Sequence, residues 1–206
     1  MVKVGQSARR TIPDRANKAI TPNLSVFPTN LGWFGLLERN SRLARVLVGH
    51  ASAAEVRRAA ERQAMEACGA PAFCENDWNP DLRCRLERYC IGERLDFDDV
   101  PLDLPPGSEF QQRVLKVVRR IRYGKTMSYG VLAEKAGYPR AARAVGTVMS
   151  SNRFPIVVPC HRVVASGGKT GGYTSPQGVS LKLRLLALEA AYDPVTLSRD
   201  GTRVAH

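Results

Sequence analysis

A thiol, an imidazole and a guanidinium stand side by side within an apolar run, FPIVVPCHRVVAS, at residues 154–166. The flanks, Ile156 to Val158 and Val163 to Ala165, read as buried β-structure. Any fold of this chain must therefore bring Cys160, His161 and Arg162 into or against its core. A buried cysteine alone is ordinary, because a free thiol packs as a small hydrophobe. A buried guanidinium is not, and Arg162 is expected to pair with a core carboxylate; no chemical step is assigned to it.

A thiol becomes a useful nucleophile as a thiolate, whose formation is favoured near cationic groups such as His161 and Arg162. Neighbouring residues of a regular strand point to opposite faces. His161 would then not reach Cys160 directly, but Pro159 ends the strand in a turn and a bridging water would close the gap. An imidazole acting as base needs an orienting group. The second half of the chain offers Glu109, Glu134 and Glu189 before its tail. Glu189 is the candidate, since it ends a leucine-rich helix where a carboxylate wants a partner. The bland alternative is a structural cysteine beside a surface histidine.

Charge narrows the class further. Between Ser108 and Thr170 twelve Lys and Arg face only Glu109 and Glu134, a net of +10. From Glu66 to Asp103 ten acids face four arginines, a net of −6. Positive charge gathered in one region is the pattern of a nucleic-acid surface, with a solvated charged face as the alternative. The chain has no apolar run long enough to span a membrane, and no membrane partner is expected. Its basic N-terminus lacks the apolar centre of a secretory signal. Five cysteines in such a chain read as reduced thiols, giving a cytoplasmic setting, or a nuclear one in a eukaryote.

The 206 residues divide into a basic tail at 1–24, an N-terminal unit at 25–104, a second unit at 105–192 and a tail at 193–206. In the first unit, VFPTNLGWFGLLE and ARVLVGH joined by RNSR predict a two-stranded hairpin. Ser52 and Glu55 have the spacing of a capping box that opens a helix. NPDLRCRLERYC places Leu82, Leu86, Tyr89 and Cys90 on one helical face with Pro80 at its first position. The acidic, proline-rich DFDDVPLDLPPG reads as an extended linker. Ser108 and Gln111 predict a second capping box, followed by the stripe Phe110, Val114, Val117, Val118 and Ile121. SYGVLAEKAG, capped by Ser128 and ended by Gly137, and PRAARAVGTVMSS, started by Pro139, form a helix-turn-helix unit. The second of these helices carries Ala141, Ala142, Ala144, Gly146 and Thr147 with Arg140 and Arg143 projecting. Small residues allow close approach, either to a neighbouring helix or to a narrow duplex groove. VSLKLRLLALEA, capped by Ser180, predicts a final helix. The fold class is α+β: a small hairpin-and-helix domain, then a mainly helical one.

SSNRFPIVVPCHRVV, with SYGVLAEKAG, ARAVGTVMSSN, GGY and LLALE in that order, resembles the O6-alkylguanine-DNA alkyltransferases, the methylated-DNA–protein-cysteine methyltransferases. The resemblance is specific over residues 100–190 and looser before them, where it implies a ribonuclease-H-like α/β domain. It implies repair of O6-alkylguanine in double-stranded DNA, bound through the minor groove with the damaged base flipped out. The alkyl group passes irreversibly to the protein, which is consumed one for one. Carried over residue by residue, Cys160 is the acceptor, His161 the water-mediated base and Glu189 its orienter. Tyr129 helps rotate the nucleotide and donates to the guanine ring. Arg143 fills the vacated stack, and Ala141, Ala142 and Gly146 lie against the groove. Asn152 joins the recognition helix to the active-site segment. Met149, Val163, Tyr173 and Thr174 line the base pocket.

The loop TSPQGVS departs from the shortest members, and Leu188 stands where some have a second histidine. No cofactor is expected and no catalytic metal. Cys68, Cys74, Cys84 and Cys90, spaced C-x5-C-x9-C-x5-C, offer structural zinc as a lesser reading, since they lack the tight knuckle of common sites. The protein is expected to be a monomer. The alternative function is a helix-turn-helix regulator that binds DNA without alkyl transfer.

Overall fold

The computed structural model describes residues 21–68, 73–104 and 106–191, apart from the side chains of residues 64 and 66–68. The expected tails at 1–20 and 193–206, and Pro105 at the expected boundary, lie outside them.

Three antiparallel strands open the fold: β1 (Asn23–Thr29), β2 (Gly32–Arg39) and β3 (Arg42–His50). Two of the sequence expectations are corrected here. The tail does not reach residue 24, because Asn23 and Leu24 already pair with Glu38 and Leu37. VFPTNLGWFGLLE is not one strand: it reverses at Asn30 and Leu31, where Gly32 takes φ +108°. A Cβ there would stand 2.8 Å from the His50 carbonyl oxygen, so only glycine fits. The RNSR turn holds Asn40 and Ser41 at φ 54° and 60°, the two left-handed residues of a tight hairpin turn.

α1 (Ala53–Cys68) starts at the expected cap: the Glu55 N–H donates to Ser52 Oγ and the Glu55 carboxylate accepts from the Ala51 N–H. Val56, Ala59 and Ala60 cover one sheet face against Leu24, Leu37 and Leu47. β4 (Cys74–Glu75) extends the sheet beside β1 in parallel, giving the order β3-β2-β1-β4. α2 (Pro80–Cys90) is capped by Asn79, whose side chain accepts from the Leu82 N–H, and buries Leu82, Leu86, Tyr89 and Cys90 as expected.

The acidic connector is extended but is no free linker. Leu102 bridges to Leu43, the Leu43 N–H donates to the Pro101 carbonyl, and the Asp103 N–H donates to the Leu43 carbonyl. Phe97, Val100 and Leu102 are buried with it. One apolar cluster runs from Phe27 and Phe34 through Tyr89 and Val118 to Leu185, so both halves of the chain share a core.

α3 (Glu109–Arg119) carries the full Ser108–Gln111 capping box and buries Val114 and Val118. A two-residue strand β5 (Met127–Ser128) leads into α4 (Tyr129–Lys135), capped by Ser128. Gly137, at φ +88°, turns the chain away. α5 (Ala142–Ser150) begins three residues later than Pro139 would allow, because Arg140 adopts φ +70° and breaks the first turn.

Ile156–Val158 is not a strand. Asn152 staples the segment into turns: its Oδ1 accepts from the Phe154 N–H and its Nδ2 donates to the Val158 carbonyl, both at 3.0 Å. Ile156 sits at φ +73°, costly for a β-branched residue, so the chain stores strain four residues before the thiol. Cys160–Arg162 form one 3-10 turn, and Val163–Val164 form β6, parallel to β5. α6 (Val179–Ala190) closes the fold. Ser180 does not cap it: the residue before the helix is Gly178, and no side chain caps that end.

Gly35 locks the sheet to α1. A Cβ at that position would approach Val56 Cγ1 to 2.6 Å and Leu47 Cδ1 to 3.2 Å. Gly35→Val is expected to lower unfolding free energy by about 1–3 kcal/mol through overpacking, read from the urea midpoint. An unchanged midpoint would mean that this face packs loosely.

Candidate active site

The 3-10 turn gives Cys160, His161 and Arg162 different directions, and each finds a different environment. Cys160 is 6 % exposed, and its sulfur accepts from Asn152 Nδ2 at 3.0 Å. Burial pushes the thiol above its ordinary value; the Asn152 hydrogen bond, the Lys182 charge and the backbone N–H groups of Cys160 and His161 oppose that rise without cancelling it. The resting group is therefore a thiol.

His161 and Arg162 point inward to Glu189. His161 Nε2 lies 2.9 Å from Glu189 Oε1. Arg162 Nε reaches both carboxylate oxygens at 3.1 and 3.0 Å, its second terminal nitrogen reaches Oε1 at 2.8 Å, and the first donates to the Ile121 carbonyl at 2.6 Å. The Gly124 N–H donates to Oε2 at 3.0 Å. Tyr89, from α2, donates to Oε1 at 2.6 Å and lies 3.2 Å from His161 Nε2. Burial would raise the Glu189 carboxyl, but the hydrogen bonds from His161 and Arg162 and their charge outweigh it and hold the acid well below the usual carboxylate range.

These contacts fix the imidazole. An ionised carboxylate only accepts, so Nε2 must carry the proton. Nδ1 then holds a lone pair, and it is buried with no hydrogen-bond partner among the described residues. Burial lowers the His161 value, and the Arg162 and Lys182 charges add to that against the pull of Glu189. His161 is a neutral base with one open acceptor.

A cavity of about 240 Å³ lies over the thiol. Tyr129, Gly146, Met149, Cys160, Tyr173 and Thr174 line it, together with Ser150 and Gly172. Six of the residues expected at the site from sequence thus meet around one space. Tyr129 is half-buried and raised by burial and by Cys160. It is held against Gly171, where a Cβ would stand 2.9 Å from the hydroxyl and φ is +71°. Tyr173 has a buried hydroxyl with no hydrogen-bond partner among the described residues, and Thr174 is tied back to the Ser150 carbonyl at 3.1 Å.

Two expected wall residues sit elsewhere. Val163 is fully buried and off the cavity; its carbonyl accepts from Lys182 Nζ at 2.6 Å. Asn152 holds the sulfur from outside the cavity. On α5, Arg143 and Ala144 are exposed, Ala141, Ala142 and Gly146 are partly so. A Cβ at Gly146 would meet nothing within 4 Å, so the protein's own packing does not ask for glycine there.

Sequence reading missed Tyr89 and Lys182. Tyr89 looked like any other core residue of its stripe. Lys182 carried a usable signal, a lysine beside Leu181 in an apolar helix; it is fully buried, and its ammonium lies 5.9 Å from the Tyr129 ring centre. Of the four cysteines offered for zinc, the side chain of Cys68 lies outside the described residues. Cys90 is buried in the core with its thiol pushed up to about 12 by burial, while Cys74 and Cys84 are exposed. Among the described residues, no three potential metal ligands gather.

The profile of the 6-O-methylguanine DNA methyltransferase DNA-binding domain matches residues 109–191, which marks the second half of this α+β chain as similar to the DNA-binding domain of those proteins. A methylated-DNA–protein-cysteine methyltransferase of Mycolicibacterium paratuberculosis is 48 % identical over 114 residues, 55 % of this chain and 67 % of that protein. One from Mycobacterium tuberculosis is 44 % identical over 127 residues, 59 % of this chain and 74 % of that one. The crystal structure of M. tuberculosis OGT in complex with DNA superposes with a TM-score of 0.65 at 33 % identity, covering 82 % of this chain and 93 % of that one. The O6-methylguanine methyltransferase of the same organism gives 0.69 at 32 % identity, covering 84 % and 96 %. The chain belongs to the methylated-DNA–protein-cysteine methyltransferase family.

Breaking the buried pair tests the site as built. Arg162→Met leaves the Glu189 carboxylate without its cation and is expected to cost about 3–5 kcal/mol in unfolding free energy. Adding Glu189→Gln should return part of that loss. The sign of the pH effect follows from the depressed carboxyl: its contribution is present above the ordinary value of 4.5 and fades as pH falls below it. Chemical denaturation between pH 3 and 6 should show that decline in the wild type and lose it in the double variant.

Proposed function

We propose that this protein repairs O6-alkylguanine in double-stranded DNA by moving the alkyl group onto Cys160. The observation that carries the reading is a nucleobase-sized cavity floored by a thiol and bordered by the helix that presents Gly146, Met149 and Ser150. A base reaches such a cavity only by leaving the stack.

In the reaction, His161 takes the thiol proton at Nδ1 through a bridging water, with Glu189, Arg162 and Tyr89 holding Nε2–H in place. The sulfur attacks the alkyl carbon in line: the S–C bond forms as the C–O6 bond breaks, and the electron pair stays on guanine. The guanine ring takes up the released proton, and the Tyr129 hydroxyl donates to it as charge develops. The product is an S-alkylcysteine, and no group in the site removes it, so each molecule acts once. Asn152 positions the sulfur, while Met149, Tyr173 and Thr174 confine the base.

The helix-turn-helix α4–α5 enters the minor groove with Ala141, Ala142 and Gly146 toward the duplex and Arg143 in the gap left by the base. The outward, unpacked Gly146 supports this over helix packing as the reason for small residues. Minor-groove readout is poor in sequence information, which suits a protein that must find damage anywhere. Residues 23–104 then form the smaller domain and 106–191 the DNA-binding one, acting as a monomer in the cytoplasm, or the nucleus in a eukaryote, without a cofactor.

Mass spectrometry after mixing with a duplex containing one O6-methylguanine tests the proposal. The expected result is one added methyl on the peptide bearing Cys160, stoichiometric with repaired DNA and absent in Cys160→Ser. No adduct would favour the DNA-binding regulator instead. In the same assay Arg143→Ala should slow transfer from duplex by tenfold or more, and transfer from free O6-methylguanine far less. Equal losses would remove Arg143 from the stack.

A further inference from the structure

The cavity over the thiol has a larger neighbour. A groove of about 710 Å³ runs beside it, between β3 and α1 on one side and the end of α5 with the Tyr173–Pro176 loop on the other. The two spaces share Ser150, Tyr173 and Thr174 as a common wall. The Val46 N–H donates to the Arg153 carbonyl at 2.8 Å, which ties its two banks together.

The groove has one sign of charge. Arg45, His50, Arg62 and Arg153 line it, and among the described residues no aspartate or glutamate does. Elsewhere in the N-terminal half Arg57, Arg83, Arg85 and Arg88 each pair with a carboxylate at 3.1 Å or less. Arg62 is exposed on α1 and Arg153 is half-buried, and neither has an acidic partner among the described residues. His50 is lowered by burial first and by the Arg62 charge, against Glu55, so the cationic character rests on the arginines. Glu55 is engaged with the Ala51 N–H.

We propose that this groove is a second phosphate-binding surface that holds the backbone of the damaged strand where it leaves α5. The inference rests on the alkyl-transfer reading and extends the DNA interface to the N-terminal half. Its position argues for it. α5 has nine residues and is about 13 Å long at 1.5 Å per residue, enough to cross a minor groove from one strand to the other. Ser150, its last residue, is where the groove begins. A strand whose base occupies the thiol cavity must pass that end, and its phosphates meet arginines on both banks. The backbone then is gripped on either side of the flipped nucleotide.

Salt dependence reads phosphate contacts directly. Each one lost should make the slope of log affinity against log salt shallower by about 0.9. The double variant Arg62→Gln, Arg153→Gln should reduce the slope for duplex DNA by between one and two. Its transfer from free O6-methylguanine should stay within twofold of wild type, which also reports correct folding. Arg62→Lys, Arg153→Lys should restore the slope. An unchanged slope in the glutamine variant would overturn the proposal. So would an effect confined to duplexes whose O6 substituent carries a carboxylate, which would make the groove a seat for the alkyl chain. Failure of wild-type transfer from the free base would instead strike at the repair reading.

Discussion

Everything at this site hangs on one buried ion pair, Arg162 with Glu189. Taking both charges from water costs several kcal/mol per ion unless the remaining donors and acceptors are met. Here they are met by segments far apart in sequence: Tyr89 from α2, the Ile121 carbonyl and Gly124 N–H after α3, and His161 from the 3-10 turn. The network therefore needs both halves of the chain in place. The apolar cluster shared by the two halves and the pairing of Leu102 with Leu43 hold those halves together.

The pair also decides the chemistry. With Arg162 on it, Glu189 is saturated by donors and stays ionised, so it orients His161 without giving it a proton. The imidazole is left neutral, with its free lone pair at Nδ1. The thiol beside it is kept protonated by burial, and Asn152 aims the sulfur. Reactivity is then conditional. On the proposed reaction the sulfur attacks only once its proton has passed through a bridging water to His161 Nδ1.

The sequence made the residues of this site legible more readily than their geometry. Cys160, Tyr129, Met149, Gly146, Tyr173 and Thr174 were found through motifs, and they converge on one cavity. The capping box at Ser108 also reads correctly, because it depends only on contacts three residues apart, and Ser52 accepts from the Glu55 N–H as expected while the Glu55 carboxylate reaches Ala51 instead. Expectations failed where distant partners decide. Ile156–Val158 looks like a strand by composition, yet the side chain of Asn152 folds it into turns. Val163 looks like a pocket wall, yet Lys182 draws its carbonyl away from the cavity. Pro139 is a good helix start by itself, but Arg140 in a left-handed conformation delays the helix. The role of Tyr89 had no local signal, since a core tyrosine and one that holds a carboxylate share the same helical stripe.

The account stands on the protonation state of His161. Nitrogen-15 NMR of the imidazole in the unreacted protein measures it without reference to turnover. The expected spectrum is a neutral ring protonated at Nε2 from pH 6.5 to 8, with a titration midpoint below 6.5. An imidazolium at pH 7, or a neutral ring protonated at Nδ1, would contradict it, because neither leaves an acceptor for the Cys160 proton.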